Sequence, residues 1–332
     1  MNKSIILQKR PVGKPQLSDF KLVGTEMPEI QDAELLLKLK YVSVDPYLRG
    51  RMSDAKSYIE PFKLNEAMAS GCIAEVIASK HESFQKGEFV SGMLEWKEIQ
   101  ASKGFGLIKV DNSKVPLTAY LGVLGMTGLT AYFGLMEIGR PKKGETLVVS
   151  GAAGAVGSVV GQIGKIFGCR VVGIAGSDKK LELLTSKFGF DEAINYNTST
   201  NLNKDIAAAC PSGVDIYFDN VGGNISDKVH MNINKFGRIV VCGAISTYND
   251  KQIPVGPRVQ GFLIKQSALM QGFIVGNYQK KFPEGMNQLA EWVKEGKINY
   301  VETIVEGFEE IPQAFIALFE GKNNGKMIVK VS

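Results

Sequence analysis

Hydrophobic and polar positions alternate over short runs in roughly the first third of the chain. Runs of this kind include AELLLKLKYVSV, GCIAEVIAS and EFVSGMLEW. Turn-forming residues separate the runs, as in KHESFQKG and at Asp45-Pro46. Short alternating runs bounded by turn residues are typical of strands. This part of the chain is therefore predicted to form a compact domain rich in β-structure.

From about Tyr120 the pattern changes, and apolar runs alternate with segments of helical periodicity. The run TLVVSG precedes the segment AVGSVVGQIGKIFG, and Gly168 is a suitable end for that helix. The apolar residues of this segment that share one helical face are Val156, Val159, Val160, Ile163, Ile166 and Phe167. A strand followed by an amphipathic helix is the first half of a β-α-β unit.

The same alternation continues for a further hundred residues or so. The strand-like runs are CRVVGIAG, EAINY, VDIYFDNVGG and RIVVCGAIS. The helix-like segments are SDKKLELLTSKFG, LNKDIAAAC and NISDKVHMNINKFG, with Ser177 placed as the N-cap of the first. This order predicts the α/β class, with a doubly wound parallel sheet that carries helices on both faces. The tail then returns to a mixed pattern and ends in the strand-like GKMIVKVS.

A glycine-rich turn joins the first of these strands to its helix. Gly151, Gly154 and Gly157 lie three residues apart in VVSGAAGAVGSVVGQIG. In dinucleotide-binding units, such glycines permit a tight turn, a close approach of the pyrophosphate and close packing of helix on strand. The helix N-terminus then offers N–H groups to the phosphates. The spacing is GxxGxxG rather than GxGxxG, so a glycine turn without a ligand is the alternative.

The end of the second strand bears on the choice of nucleotide. An NAD site places an acidic residue there to hold the ribose hydroxyls. Here the small residues 175–177 occupy that place, and Lys179 and Lys180 follow. Small residues leave room for a 2′-phosphate and a lysine can neutralise it, which favours NADP(H). Asp178 is the conflicting observation, and it is interpreted as a first-turn residue favoured by the helix dipole.

Charge and cysteine content exclude several classes of protein. The net charge is +5, from 39 basic and 34 acidic residues, and the chain has no block of five or more like charges. This pattern argues against partners such as nucleic acid or membrane. The four cysteines are scattered, without a CxxC. Neither a signal peptide nor a membrane span is predicted. We expect a cytoplasmic protein in a reducing compartment.

Metal catalysis is not predicted. A catalytic zinc needs three converging protein ligands, whereas the chain has only two histidines, His81 and His230, and neither lies near a cysteine in sequence. No GxSxG and no GxxxxGK[ST] occurs. If the chain is a dehydrogenase, the prediction is that it works without a metal.

The chain resembles the zinc-independent medium-chain dehydrogenase/reductases over essentially its whole length. The similar branch is that of leukotriene hydroxydehydrogenase and prostaglandin reductase, with bacterial NADP-dependent alkenal, enone and curcumin reductases. The motifs that carry the resemblance are YVSVDPYLRGRM, GMTGLTAYFGL, VVSGAAGAVGSVVGQIGKIFG, GIAGSDKK, YFDNVGG, CGAISTYN, MQGFIV and GKNNGKMIVKV.

The resemblance implies two domains and a homodimer. A GroES-like catalytic domain would comprise residues 1–120, completed by residues 297–332. A Rossmann domain that binds NADP(H) would comprise residues 121–296. The family usually dimerises through the edge strand of the Rossmann sheet, which would be LMQGFIV here.

The resemblance also assigns residues to NADP(H). The pyrophosphate loop would consist of Ala153, Gly154, Ala155, Val156 and Gly157. The 2′-phosphate would lie on Lys180, with Gly176, Ser177 and Tyr196 beside it. The remaining cofactor contacts would be Met126, Thr127, Asn220, Cys242, Gly243, Ile245, Phe273, Val275 and Asn323. Family members often carry proline at the position of Thr127.

The implied reaction is the NADPH-dependent reduction of the carbon–carbon double bond of an α,β-unsaturated ketone or aldehyde. Hydride would reach the β-carbon, and the enolate would be stabilised by a tyrosine and the cofactor ribose hydroxyl. Tyr248 resembles the tyrosine proposed for this role, and Tyr47 is the second candidate. The alternatives are an NADPH quinone reductase and a non-catalytic relative that binds nucleotides or nucleic acid. Without the resemblance, Tyr47, Asn220, Phe273 and Val275 would be interpreted as structural.

Overall fold

The structure, a computed structural model, describes all 332 residues. The chain divides into two compact units. The first unit comprises Met1–Leu121, Glu302–Asn323 and Met327–Ser332, and the second comprises Gly122–Val301 and Asn324–Lys326. No helix has the length and apolar character needed to cross a membrane.

Fifteen strands and nine α-helices make up the two units. The strands are β1 Asn2–Leu7, β2 Phe20–Thr25, β3 Leu35–Ser43, β4 Ala69–Ser79, β5 Phe89–Glu95, β6 Ile99–Ser102, β7 Ile108–Val110, β8 Thr146–Ser150, β9 Arg170–Ala175, β10 Glu192–Asn195, β11 Val214–Asp219, β12 Ile233–Val241, β13 Leu269–Gly272, β14 Glu302–Glu306 and β15 Lys326–Lys330. The helices are α1 Leu48–Arg51, α2 Met126–Phe133, α3 Gly157–Ile166, α4 Asp178–Ser186, α5 Leu202–Ala209, α6 Gly223–His230, α7 Gln260–Gln266, α8 Phe282–Lys294 and α9 Ile311–Leu318. One π-helix spans Gly134–Gly139, and 3₁₀ helices span Leu17–Asp19, Leu117–Leu121, Ile245–Thr247, Val275–Lys281 and Phe308–Glu310.

The second unit is built on a six-stranded sheet in the order β10-β9-β8-β11-β12-β13. Its strand pairs are parallel, and every residue of β8 is buried. Counted from β8, this is the order 3-2-1-4-5-6 of a Rossmann sheet, whose direction of winding reverses between β8 and β11. The predicted doubly wound fold is confirmed. In sheets of this kind, ligands bind beyond the carboxyl ends of the strands at the point of reversal.

One predicted helix was wrong in its second half. The segment NISDKVHMNINKFG is helical only as far as His230, and β12 begins at Ile233. Ile233 lies in register with Val214 of β11, whose N–H bonds the Asn232 carbonyl at 2.9 Å. The strand then kinks, because Phe236 has a φ of 65° and the register shifts between Val214 and Ile216. Pairing with β11 therefore overrides the local helical pattern.

The first unit is β-rich, as predicted. A seven-stranded sheet contains β14, β15, β3, β4, β5 and β7 in that order, with β6 also paired to β3, and β1 pairs with β2 separately. The C-terminal strand β15 is antiparallel to β3, so the end of the chain completes a sheet begun near its start. The buried core of this unit includes Trp96, whose indole N–H donates to Ser70 at 2.9 Å.

Candidate cofactor and catalytic site

The turn between β8 and α3 can form only with glycine at two of its positions. Gly151 has a φ of 58°, in the left-handed region that side chains rarely adopt. A Cβ atom at Gly157 would lie 2.5 Å from the Gly151 carbonyl oxygen and 2.8 Å from the Ala152 Cα. The first residue of α3 therefore packs directly on the backbone of the turn.

The N-terminus of α3 presents donors that the protein itself does not use. The N–H groups of Ala155, Val156 and Gly157 have no acceptor within the protein, and no side chain caps the helix at Val156. The carbonyl of Ala153 accepts a 2.8 Å hydrogen bond from the Gly325 N–H, which anchors the loop. Three adjacent N–H groups at the positive end of a helix form a phosphate-binding arrangement. This loop therefore fits a dinucleotide pyrophosphate.

The β9–α4 turn brings together the residues predicted to hold the 2′-phosphate. Ser177 is the N-cap residue of α4, and its carbonyl accepts from the Lys180 N–H at 2.9 Å. A Cβ atom at Gly176 would lie 2.8 Å from the Tyr196 hydroxyl. Burial lowers the pKa of the Lys180 ammonium. Asp178, the conflicting residue, accepts from the Asn195 side chain at 2.7 Å.

A buried carboxylate lies where the winding of the sheet reverses. Asp219, at the end of β11, is 3% exposed and accepts from Ser150 Oγ at 2.9 Å. Its other donors are the Tyr217 hydroxyl at 2.8 Å, the Val221 and Gly222 N–H groups at 2.9 Å each, and Ser226 Oγ at 2.7 Å. Sequence reasoning missed both Asp219 and Ser150. The available signal was an aspartate that ends an apolar strand directly before the Asn-Val-Gly-Gly turn.

Asn220 is positioned by the same network. Its side-chain amide donates to the Ser150 carbonyl at 2.8 Å, and its N–H donates to Ser150 Oγ at 3.0 Å. The backbone of the 242–245 segment lies beside it, since the Cys242 and Gly243 N–H groups both bond the Asp219 carbonyl, at 2.9 and 3.0 Å. The ends of β8, β11 and β12 therefore share one hydrogen-bonded cluster that includes three predicted cofactor residues.

Tyr248 lies on the backbone of the 242–245 segment. Its hydroxyl accepts from the Ala244 N–H at 3.3 Å, and a Cβ atom at Gly243 would lie 3.1 Å from it. The Ile245 N–H bonds the Asn220 carbonyl at 3.4 Å. Burial, and secondarily Asp219, raises the pKa of the Cys242 thiol to about 12. The structure thus brings Tyr248 together with Asn220, Cys242, Gly243 and Ile245.

The other predicted residues are placed as follows. Met126 opens α2 and is 39% exposed, whereas Thr127 is buried and donates to the Gly122 carbonyl at 3.0 Å. Phe273 and Val275 come after β13 ends, and the Phe273 ring packs on Phe218 at 6.4 Å between centroids.

Two predicted site residues, Tyr47 and Asn323, belong to the first unit. Tyr47 precedes α1 and packs half-buried against the core of its unit. Burial, and secondarily Asp45, raises its pKa well above the usual value. Across the 332 residues, no three His, Cys, Asp or Glu side chains are grouped so as to hold a metal ion.

Comparison with known proteins places the chain in a family. A profile described as the N-terminal domain of oxidoreductase matches residues 3–110, and one described as zinc-binding dehydrogenase matches residues 155–292. A Bacillus subtilis protein named "Putative NADP-dependent oxidoreductase YfmJ" is 58% identical, over 99% of this chain and 97% of its own length. The NADPH-dependent curcumin reductase of Escherichia coli is 41% identical over 100% of this chain and 97% of its own length.

Two further matches also span nearly the whole chain. The NADP(+)-dependent 2-alkenal reductase of Nicotiana tabacum is 42% identical over 100% of this chain and 98% of its own length. The crystal structure of CurA from Vibrio vulnificus in complex with NADPH superposes with a TM-score of 0.95 at 44% identity, covering 99% of each chain. The predicted resemblance is thereby confirmed, and the chain belongs to the medium-chain dehydrogenase/reductase family of oxidoreductases, in the branch that contains curcumin reductase and 2-alkenal reductase.

Proposed function

We propose that this protein reduces the carbon–carbon double bond of α,β-unsaturated aldehydes and ketones. It is an oxidoreductase whose cofactor is NADP(H). The observation that carries the proposal is its full-length similarity, at 41% and 42% identity, to enzymes named for curcumin and for 2-alkenals. A 2-alkenal is an aldehyde whose double bond is conjugated with the carbonyl group, so the proposed substrate class is the conjugated carbonyl compound.

The chain's own part in cofactor binding is assigned to two turns of the second unit. The N–H groups of residues 155–157 would hold the pyrophosphate. Lys180 and the hydroxyls of Ser177 and Tyr196 would hold the 2′-phosphate, next to the small Gly176. The remaining predicted contacts are proposed at Ala153, Gly154, Met126, Thr127, Asn220, Cys242, Gly243, Ile245, Phe273, Val275 and Asn323. When bound, NADPH supplies the hydride that reduces the β-carbon.

Tyr248 is proposed to donate a hydrogen bond to the substrate carbonyl oxygen. Reduction at the β-carbon places negative charge on that oxygen, and donors fixed in advance at developing charge are usually the largest catalytic contribution. The Tyr248 oxygen accepts from the Ala244 N–H, and accepting a bond strengthens a hydroxyl as a donor. Water would supply the proton that the α-carbon takes up, which completes the addition of one hydride and one proton.

Tyr47 is the second candidate donor. Burial raises the pKa of its phenol, so the hydroxyl keeps its proton throughout the neutral and mildly alkaline range. A phenol that stays protonated can donate but cannot act as a base near neutral pH. Its position beside Pro46 at the start of α1 is also explained by packing on the core, so Tyr248 has the stronger claim.

The proposed reaction is tested by following the absorbance of NADPH with the purified protein. The substrates are a 2-alkenal, the matching saturated aldehyde and a quinone, each offered with NADPH and with NADH. We expect rapid oxidation of NADPH with the 2-alkenal, and little with the saturated aldehyde or with NADH. Turnover of the quinone without the alkenal would replace the proposal by a quinone reductase. Binding of NADPH without turnover of any substrate would indicate a non-catalytic relative.

We further propose that the first unit is the GroES-like catalytic domain and that the protein is a homodimer. The edge strand β13 supports a dimer, because its outer side pairs with no strand and Leu269 is 45% exposed. Unprotected strand edges otherwise invite aggregation. Sedimentation should give about twice the 36.1 kDa of one chain, and Leu269→Lys should lower that mass toward a single chain. The four free cysteines support a reducing, cytoplasmic location.

A further inference from the structure

A chain of three side-chain hydrogen bonds connects the turn after β9 with the end of β10. The Asn195 amide donates to Asp178 Oδ1 at 2.7 Å. Its carbonyl oxygen accepts from the Asn197 N–H at 3.1 Å, and the Asn197 amide donates to the Gly176 carbonyl at 2.8 Å. No cofactor role was predicted for either asparagine.

Asp178, the acidic residue in these hydrogen bonds, lies next to the proposed 2′-phosphate site. Asp178 is the first residue of α4, directly after Gly176 and Ser177. In Rossmann domains that bind NAD, an acidic residue near the end of the second strand holds the ribose hydroxyls. A carboxylate that turned toward a 2′-phosphate at this turn would repel it, because like charges at close range destabilise each other.

Strand pairing fixes the backbone of Asn195, which donates to the Asp178 carboxylate. Asn195 lies in register with Ala175, the last residue of β9, and the next N–H, of Tyr196, bonds the Ala175 carbonyl at 3.1 Å. Asn195 is therefore fixed by the sheet, whereas Asp178 is an exposed side chain with rotamer freedom of its own. Of the two residues, Asn195 is therefore the one whose position is set by the sheet.

We propose that Asn195 is a positioning residue that determines the preference for NADP(H) over NAD(H). It ties the Asp178 carboxylate to β10, so that the carboxylate does not turn toward a 2′-phosphate and repel it. Asn197 supports the same arrangement by holding the Gly176 carbonyl. The inference rests on the proposed 2′-phosphate site of Gly176, Ser177, Lys180 and Tyr196.

The test is a double-mutant cycle read by calorimetric binding of NADP⁺ and NAD⁺, which needs no turnover. The variants are Asn195→Ala, Asp178→Asn and the two combined. Glu192→Gln is the matched control, because Glu192 is an exposed residue at the opposite end of the same strand. Circular dichroism verifies that each variant is folded.

The expected result depends on which partner is removed. Asn195→Ala should raise the Kd for NADP⁺ about fivefold, the scale of an exposed charge interaction, and leave the Kd for NAD⁺ within about twofold. Asp178→Asn and Glu192→Gln should each change both values less than about twofold. The combined variant should bind NADP⁺ nearly as tightly as wild type, because the released carboxylate is no longer present.

Two results would overturn the inference while leaving the 2′-phosphate site intact. One is an Asn195→Ala variant that weakens NADP⁺ and NAD⁺ equally, which indicates a general structural role. The other is a combined variant that remains as weak as Asn195→Ala. If wild type binds NADP⁺ no better than NAD⁺, the 2′-phosphate site itself fails, and the inference fails with it.

Discussion

The hydroxyl of Ser150 donates a 2.9 Å hydrogen bond to the carboxylate of Asp219, and this bond joins the ends of β8 and β11. Both residues are buried, at 0% and 3% exposure. A buried carboxylate is costly unless donors surround it, and Asp219 has donors on both oxygens. This hydrogen-bonded network holds Asn220 at the point where Rossmann sheets bind their ligands.

Asp219→Asn should destabilise the protein and weaken NADP⁺ binding. The NH₂ group of the amide replaces one accepting oxygen. It faces either the Val221 and Gly222 N–H groups, which cannot accept, or Ser226 Oγ, whose hydroxyl proton then loses this acceptor. Buried polar groups left unpaired in this way should lower the free energy of unfolding by about 2–4 kcal/mol. Urea unfolding measures the loss, with the exposed Asp250→Asn as control. An unchanged urea midpoint would show that the network is not a stabilising unit.

Gly157→Ala should cost stability and nearly abolish cofactor binding. The added methyl would overlap the Gly151 carbonyl oxygen, and overpacking of this kind costs about 1–3 kcal/mol. The turn must open, which displaces the N–H groups of residues 155–157. Gly261→Ala is the control, because nothing lies within 4 Å of a Cβ atom at that helical position. Calorimetry with NADP⁺ decides the matter, and equal affinities in the two variants would contradict the assignment of the loop.

Tyr248→Phe should lower kcat with a 2-alkenal by roughly 10²–10³-fold, the usual effect of losing one donor at a developing oxyanion. The Kd for NADP⁺ should stay within about twofold, because the aromatic ring remains. Tyr120→Phe, in which the lost hydroxyl bonds only the Asp111 carbonyl, is the control. Wild-type turnover in Tyr248→Phe would move the role to Tyr47, and Tyr47→Phe would then be the variant to measure.

The cysteines should resist the electrophiles that the enzyme is proposed to reduce. Burial raises the pKa of the Cys72 thiol to about 12 and those of the Cys169 and Cys210 thiols to about 11. The pKa of the Cys242 thiol is also raised, to about 12, although Cys242 as a residue is only half-buried. Since the thiolate is the reactive form, folded protein at pH 7.5 should take up almost no 2-alkenal, whereas protein unfolded in urea should take up several. Mass spectrometry counts the adducts, and rapid labelling of the folded chain would contradict the prediction.

The same thiols predict how stability depends on pH. A folded-state pKa above the unfolded one means that the native protein holds the proton more tightly, so this contribution is complete below the unfolded pKa. The free energy of unfolding should therefore fall as the pH rises from about 9, the ordinary value for these thiols, toward about 12. Urea midpoints at pH 7, 9 and 10.5 test the direction. A midpoint that rises over this range would contradict it.

Local patterns in the sequence were sufficient for the architecture and for the glycine turn after β8. The alternation of strand-like and helix-like segments after Tyr120 reflects burial on both faces of a parallel sheet. Such burial requires apolar residues at specific positions, and these positions can be recognised in the sequence. The need for glycine in the β8–α3 turn is also local, because it arises from backbone atoms only a few residues away. The preference for NADP(H) was also read from a short stretch, residues 175–180.

Tertiary structure decided what depends on partners distant in sequence. The segment after His230 looks helical by itself, and only pairing with β11 makes it a strand. Asp178 gains the Asn195 amide, 17 residues later in the sequence, as a hydrogen-bond donor only because the register of β9 and β10 brings the two residues together. Asp219 meets Ser150, 69 residues earlier, only because β8 and β11 are neighbours in the sheet. Composition and periodicity indicate whether a residue is buried. The hydrogen-bond partner of a buried or charged group is instead determined by strand order and register, which exist only in the folded chain.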